Sequence, residues 1–168
     1  MRILGIDPGY GILGWSIIES NMQMVDYGTI ETPKNTALDE RLFSVYTELC
    51  SIIDRYKPES AAIEKLFFSK NTSTAMQVAG VVGVILLLFR QRALPYCEYA
   101  PVQIKKAITT YGRADKLQMQ KMVQKLLNLK EMPTPDDAAD AVAISLCHAF
   151  NVKDYKTKRA YGTGRIHI

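Results

Sequence analysis

Two carboxylates in this sequence each close a short apolar run that is typical of a buried β-strand. Asp7 follows the residues ILGI at 3–6, and Glu64 follows AAI at 61–63. Asp-Pro-Gly is ordinary turn chemistry, so one such acid would be weak evidence for a site. In open α/β sheets, however, ligands bind at the carboxyl ends of the strands. Two acids in this setting therefore favour a functional pair at one edge of a sheet.

Three further acids lie in the segment TPDDAADAVAISLCHAF at 134–150, which is otherwise almost wholly apolar and long enough for a helix. Asp136 and Asp137 suit the first turn of a helix, where negative charge is stabilised. Asp140 lies further in, among alanines, and a buried acid needs a partner. Asp137 and Asp140 are neighbours on one helical face, but the spacing of Asp136 and Asp140 qualifies as well.

Asp7 and Glu64, with two of these helical acids, would form an all-oxygen site suited to a hard cation, Mg²⁺ or Mn²⁺. Carboxylates cannot crowd together without cations, because their charges repel. Two cations about 4 Å apart can activate water and stabilise the leaving oxygen of a phosphodiester. His148 lies about 16 Å along the helix from Asp137, too far to bind the same ion, and we expect it to be structural.

The residues after Asp7 also match a second pattern, GxGxxG, at Gly9, Gly11 and Gly14. A dinucleotide site requires a helix directly after the glycine-rich turn, with its N-terminus facing the pyrophosphate. Here the residues WSIIES follow, which favour a strand, and Asp7 would repel a pyrophosphate. We therefore interpret the glycines as part of a hairpin that turns tightly behind Asp7.

The acids must be positioned by a sheet and its helices, and the apolar periodicity predicts both. It indicates strands at 2–7, 12–19, 22–31, 60–66 and 94–99. It indicates a helix from a capping-box pattern at 36–39 to Pro58, a second helix at 72–92 and a helical stretch after Pro101. A last helix runs from Thr134, as N-cap with Pro135 at the first helical position, to about Phe150. Hairpins join the first three strands, and the later strand and helix alternation predicts parallel neighbours. We expect an α/β fold with a mixed five-stranded sheet, three antiparallel strands and then two parallel, flanked by helices.

The composition is that of an ordinary globular protein, with 168 residues of which 48% are apolar and 23% charged. Three scattered cysteines, Cys50, Cys97 and Cys147, without a CxxC pair, indicate reduced thiols rather than disulfides or a zinc site. The longest apolar run, at 78–89, has 12 residues, fewer than the roughly 20 that span a bilayer. We expect a cytoplasmic protein without membrane contact.

The net charge of +4 is uneven along the chain. Residues 153–168 carry all of it, while acids and bases balance in residues 1–152. We expect one folded domain at 1–152 and a basic, flexible tail at 153–168. The tail is either a solvated terminus or an arm that meets phosphate.

Four segments in order carry a resemblance to a known family. They are GIDPG at 5–9, IEKLFFSKN at 63–71, EYAPVQIKKAITTYGRADKLQMQKMV at 98–123 and DDAADAVAIS at 136–145. In this order and spacing the chain resembles the RuvC family of Holliday-junction resolvases over residues 1 to about 150. The resemblance implies an RNase H-like fold, a homodimer, and Mg²⁺-dependent nicking of two strands of like polarity in a four-way DNA junction, in recombination and repair. It also implies the branch-migration proteins RuvA and RuvB as partners.

The resemblance assigns roles to single residues. The family's acidic tetrad falls on Asp7, Glu64, Asp137 and Asp140, and its DAAD pattern selects Asp137 over Asp136, a choice that helical spacing leaves open. The tetrad implies two Mg²⁺ ions per active site, for which Mn²⁺ can substitute.

Three more residues match the family's DNA contacts. The stacking aromatic falls at Phe67, in a sequence that predicts a loop, where exposed aromatics suit base stacking. The two functional lysines fall at Lys105 and Lys116. Other cations of the same stretch are Lys106, Arg113, Lys121 and Lys125. Together they suit phosphate contacts and predict salt-dependent binding.

Two alternatives compete with a junction resolvase. One is another RNase H-like nuclease, which would cleave RNA or an RNA–DNA hybrid and leave a four-way junction intact. The other is a non-catalytic junction-binding module, which would bind junctions tightly without metal-dependent products. The apolar helix at 72–92 either packs wholly inside or gives one face to a dimer, and the resemblance favours the dimer.

Overall fold

The computed structural model describes the chain at residues 1–66 and 72–160, with side chains described at 1–66 and 75–152. The strands are β1 (Arg2–Asp7), β2 (Ile12–Glu19), β3 (Gln23–Glu31), β4 (Ser60–Glu64) and β5 (Tyr96–Tyr99). The helices are α1 (Leu38–Tyr56), α2 (Thr72–Gln91), α3 (Pro101–Thr109), α4 (Lys116–Leu126) and α5 (Asp136–Ala160).

The strands form one sheet in the order β3-β2-β1-β4-β5. β1 pairs antiparallel with β2, and β2 with β3, as expected for two hairpins. β1 pairs parallel with β4, and β4 pairs parallel with β5. The chain reaches β4 from β3 through α1, and α2 is the helical crossover between β4 and β5. The predicted mixed five-stranded sheet is confirmed.

The alternation of side chains along β1 creates two separate cores, because successive residues of a strand point to opposite faces. Leu4 and Ile6 pack on one face with residues of α1 and α2. Ile3 packs on the other face with residues of α3, α4 and α5. The sheet is therefore covered by helices on both faces, and its edge at the carboxyl end of β1 stays accessible between them.

Helix ends differ from their predictions at three points. α1 has Ala37 as its N-cap, whose methyl side chain cannot accept a hydrogen bond, and the Thr36 hydroxyl, one residue earlier, donates to the Pro33 carbonyl. α5 begins at Asp136, and the Ala139 N–H donates to the Pro135 carbonyl, so Pro135 rather than Thr134 precedes the helix. α5 also continues to Ala160, beyond the predicted end near Phe150. Across the described ranges, no helix is long and apolar enough to cross a membrane.

Candidate active site

Asp7 and Glu64 lie side by side at the ends of the two central parallel strands. The register pairs Ile6 of β1 with Ile63 of β4, so each acid follows a paired residue at the same edge. Both strands are apolar up to that point, with Ile6 and Ile63 almost completely buried. The two carboxylates therefore lie next to each other where the buried strands end, as predicted from the ends of the apolar runs.

Helix α5 brings the second pair of acids to the same edge. Asp137 and Asp140 lie on its first two turns, both half-buried. The helix can approach the sheet closely because Gly14 of β2 has no side chain, and a methyl group there would overlap the Asp137 carbonyl oxygen. At Gly5 of β1 a methyl group would likewise overlap the Ala141 carbonyl oxygen.

Two buried hydroxyls hold α5 at this position along the sheet. The Ser16 hydroxyl of β2 donates to the Ala141 carbonyl oxygen over 2.8 Å and lies 3.0 Å from the Ser145 hydroxyl. Both serines are fully buried, so these bonds do not compete with water. They keep α5 from sliding along the sheet, which would separate its acids from β1 and β4.

The acids perturb one another's ionisation. Burial, followed by the charges of Glu64, Asp140 and Asp137, raises the pKa of Asp7 to about 7. Burial also raises the pKa of Glu64 and that of Asp140. Such mutual effects require the carboxylates to be close together in a partly desolvated place. Perturbed carboxyl groups that share a cleft are typical of a functional site.

Two lysines border the acids. Lys105 of α3 is half-buried, and its charge acts to lower the pKa of Glu64. The Lys116 ammonium, at the start of α4, lies 3.3 Å from Asp140 Oδ2 and 3.1 Å from Asp136 Oδ2. Lys105, Lys116, Glu64 and Asp140 line one cavity of about 220 Å³, with apolar residues of α3, α4 and α5 forming its remaining wall.

The donor set suits a hard divalent cation, because it consists of carboxylate oxygens. Within the described residues, no three His, Cys, Asp or Glu side chains are already arranged to hold a metal ion. The cluster nevertheless favours positive charge, since Asp7 holds its proton unusually strongly and Asp140 pairs with Lys116. The residues therefore fit a divalent cation, whose binding requires loss of the Asp7 proton and a shift of the Lys116 ammonium away from Asp140.

His148 lies away from the acids, as expected. It is buried in the core, with Nε2 2.7 Å from the Ser60 hydroxyl and Nδ1 2.9 Å from the Tyr99 hydroxyl. The predicted stacking residue, Phe67, lies outside the described residues.

Two contributions to the site were not recognised from the sequence. Gly14 lies in the predicted strand at 12–19, but its role in making room for α5 was not expected. Gln120 of α4 contacts Asp136, which the sequence offered only as an alternative acid and which also pairs with Lys116. Because Gly9, Gly11 and Gly14 form one closely spaced pattern, nothing in the sequence indicated that Gly14 makes room for α5. No local sequence pattern links Gln120 to Asp136.

Comparisons with known proteins agree on one family. The family model described as "Crossover junction endodeoxyribonuclease RuvC" matches residues 3–148. The crossover junction endodeoxyribonuclease RuvC of Caldicellulosiruptor saccharolyticus is 53% identical over 152 residues, which cover 88% of this chain and 92% of that relative. Its counterpart from Halothermothrix orenii is 47% identical over 166 residues, covering 97% of this chain and 99% of the relative.

A solved structure of T. thermophilus RuvC in complex with a Holliday junction substrate superposes with a TM-score of 0.87 at 30% identity, covering 92% of this chain and 96% of that one. The sheet order and the acids at its edge define an RNase H-like nuclease of the kind that requires a divalent metal. The chain belongs to the RuvC family of crossover junction endodeoxyribonucleases.

Proposed function

We propose that this protein is a structure-selective DNA endonuclease that resolves Holliday junctions by paired symmetric nicks, in homologous recombination and DNA repair. The observation that carries the proposal is the convergence of Asp7, Glu64, Asp137 and Asp140 at one edge of the sheet, in a chain of the RuvC family. The Holliday junction in the T. thermophilus structure supports the same substrate for this chain.

The four acids are the proposed ligands of two Mg²⁺ ions, for which Mn²⁺ can substitute because oxygen ligands suit both. Bound cations would activate water and stabilise the leaving oxygen. Asp7 must lose its proton as the site is loaded, because only the ionised carboxylate is a good ligand. Attack of the water oxygen on phosphorus would break the bond to the 3′ oxygen. The water would lose a proton and the 3′ oxygen would gain one, leaving a 5′-phosphate and a 3′-hydroxyl that can be ligated.

The DNA contacts are proposed for Phe67, Lys105 and Lys116. Lys105 and Lys116 border the acids from two different helices, so a phosphate held at the acids would lie between positive groups. This arrangement offsets the negative charge that a nucleic acid adds to an already acidic cluster.

The working unit is proposed to be a homodimer, because a four-way junction is cut at two sites related by two-fold symmetry. α2 supports this with an exposed apolar surface, in which Met76 is 76% and Leu87 is 56% exposed. Leu87→Glu should therefore yield monomers in sedimentation velocity. Leu117→Glu, a similar change at a residue of α4 that is 52% exposed, should leave the dimer intact.

The partners, the cellular location and the domain division are proposed together with this function. RuvA and RuvB are the proposed partners on the junction, and the cytoplasm is the proposed location, in keeping with the scattered cysteines. The division into a nuclease domain at 1–152 and a basic tail at 153–168 stays a prediction. Deletion of 153–168 with unchanged junction binding would dismiss a DNA-binding role for the tail.

Cleavage of synthetic four-way junctions, with and without Mg²⁺, tests the function directly. We expect symmetric nicks in two strands of like polarity, only with the metal. Asp7→Asn should bind the junction like the wild type but leave it uncut, and normal cleavage by this variant would refute the site. Cleavage of RNA or hybrid duplex alone would identify another RNase H-like nuclease, and binding without products a junction-binding module.

A further inference from the structure

Asp136 lies outside the proposed metal ligands, yet it makes the shortest contact of the Lys116 ammonium within the described side chains. Asp136 Oδ2 is 3.1 Å from Lys116 Nζ, while Asp140 Oδ2 is 3.3 Å away. Asp136 Oδ1 accepts a hydrogen bond of 3.0 Å from Gln120 Nε2. Each oxygen of the Asp136 carboxylate is thus contacted by a different residue of α4, and these two residues lie one helical turn apart.

Lys116 occupies a position where a positive charge destabilises the helix, which indicates that this residue has a role other than helix stability. Lys116 is the first residue of α4, where the positive end of the helix dipole repels a cation. The helix start is nevertheless well defined, because the Asp115 carboxylate accepts from the Gln118 N–H and the Gln118 side chain accepts from the Asp115 N–H. The backbone of Lys116 is therefore in place, and its long side chain still needs a partner to hold it.

The ion pair contributes little to folding, because both side chains are at least half exposed, Lys116 at 50% and Asp136 at 67%. The effect of the ion pair is instead on the position of the Lys116 ammonium. The ammonium is thus shared between an acid of the proposed metal site and an acid beside it.

We propose that Asp136 is a positioning residue, which keeps the Lys116 ammonium at the rim of the acid cluster when Asp140 turns to a metal ion. Without Asp136, Lys116 has only Asp140 as a partner in this part of the described structure. It would then either compete with the cation for Asp140 or leave for solvent. The inference rests on the proposed function only for its consequence in catalysis, and the contact itself can be tested without cleavage.

The first test is the reactivity of the Lys116 amine in the full-length protein without DNA, with a chelator present. Limited acetylation followed by mass spectrometry measures how fast Lys116 reacts relative to Lys121 of the same helix. Asp136→Asn should raise this ratio several-fold, because the amine loses an ionic partner. Asp39→Asn is the matched control, since Asp39 is an acid in the first turn of α1, and it should leave the ratio unchanged.

An unchanged ratio in Asp136→Asn and in Asp136→Ala would overturn the proposal. Because Asp136 is exposed, both variants should fold, and their circular dichroism and thermal melting provide the check. This result stands even if the protein cuts no junction, so failure of the positioning role is distinct from failure of the proposed function.

The second test is a double-mutant cycle on single-turnover junction cleavage and on the Mg²⁺ concentration that gives half the maximal rate. Asp136→Asn should slow cleavage and raise that Mg²⁺ concentration in the wild-type background. In a Lys116→Gln background it should have no further effect on either quantity. Equal effects in both backgrounds would mean that Asp136 acts directly on the metal ions, and would overturn a role through Lys116.

Discussion

Gly14 of β2 and Asp137 of α5 are in such close contact that no side chain fits between the strand and the Asp137 carbonyl oxygen. Gly14 is also the register partner of Asp7 on β1. One residue without a Cβ thus brings an acid of the sheet and an acid of the last helix to the same place. The relative placement of the two acids therefore depends on this contact.

Gly14→Ala should damage both stability and cleavage. The added methyl group must displace α5 or β2, and overpacking of this kind costs about 1–3 kcal/mol. The shift also separates Asp137 from Asp7, so junction cleavage should fall more steeply than junction binding. Urea unfolding and single-turnover cleavage measure the two effects. Gly11→Ala in the same hairpin is the control, because nothing lies within 4 Å of its added methyl group, and equal behaviour of the two variants would contradict the contact.

Asp7→Asn should make the protein more stable at pH 8 in the presence of a chelator, although we expect it to abolish cleavage. In the folded protein Asp7 keeps its proton up to a pKa of about 7, against an ordinary value of 3.8. The folded state therefore binds more protons between these values, and stability is lost as the pH rises through this window. At pH 8 the ionised acid costs up to about 4 kcal/mol, which Asn removes.

Denaturant unfolding at pH 4 and pH 8 tests this directly. The stabilisation by Asn should be small at pH 4 and large at pH 8. Added Mg²⁺ should stabilise the wild type more than the variant, because ligand binding to the folded state adds to its stability. A variant that is no more stable than the wild type at pH 8 would show that Asp7 is not strained by its neighbours.

His148 should weaken the fold in acid. Burial lowers its pKa to about 4 from an ordinary 6.5, so the unfolded chain binds more protons between these values. Its contribution is present above pH 6.5 and is lost as the pH falls towards 4, by up to about 3 kcal/mol. Asp7 has the opposite trend in this range, and the measurement is therefore cleanest in the Asp7→Asn background. There, His148→Asn should flatten the fall in stability between pH 6.5 and pH 4, and an unchanged slope would argue against a buried neutral imidazole.

Lys105→Gln should weaken junction binding and reduce its dependence on salt. If the ammonium contacts a phosphate, the slope of log affinity against log salt should fall by about 1. Binding is measured with Ca²⁺ to prevent cleavage. Lys57→Gln is the control, because Lys57 precedes β4 and lies at the opposite edge of the sheet from the acids. The same slope for Lys105→Gln and the wild type would remove Lys105 from the interface.

Much of the fold follows from local patterns. The strands of the first two hairpins matched their predicted ranges closely, because continuous apolar and β-branched runs bounded by turn residues mark buried strands in the sequence. Helix starts were less predictable. Thr36 has the residue type of a cap, but α1 begins with Ala37 as its N-cap, and a shift of one residue cannot be recognised from residue type.

The sequence by itself determined which residues could do the chemistry: an acid at the end of each central strand, two more on the last helix, and lysines nearby. Only the tertiary structure decided how they act together. It showed that a glycine admits α5 to the sheet, that burial and neighbouring acids raise the pKa of Asp7 to about 7, and that Asp136 contacts Lys116. The reason is physical, since repulsion between charges and overlap between atoms depend on distances through space that spacing along the chain does not contain.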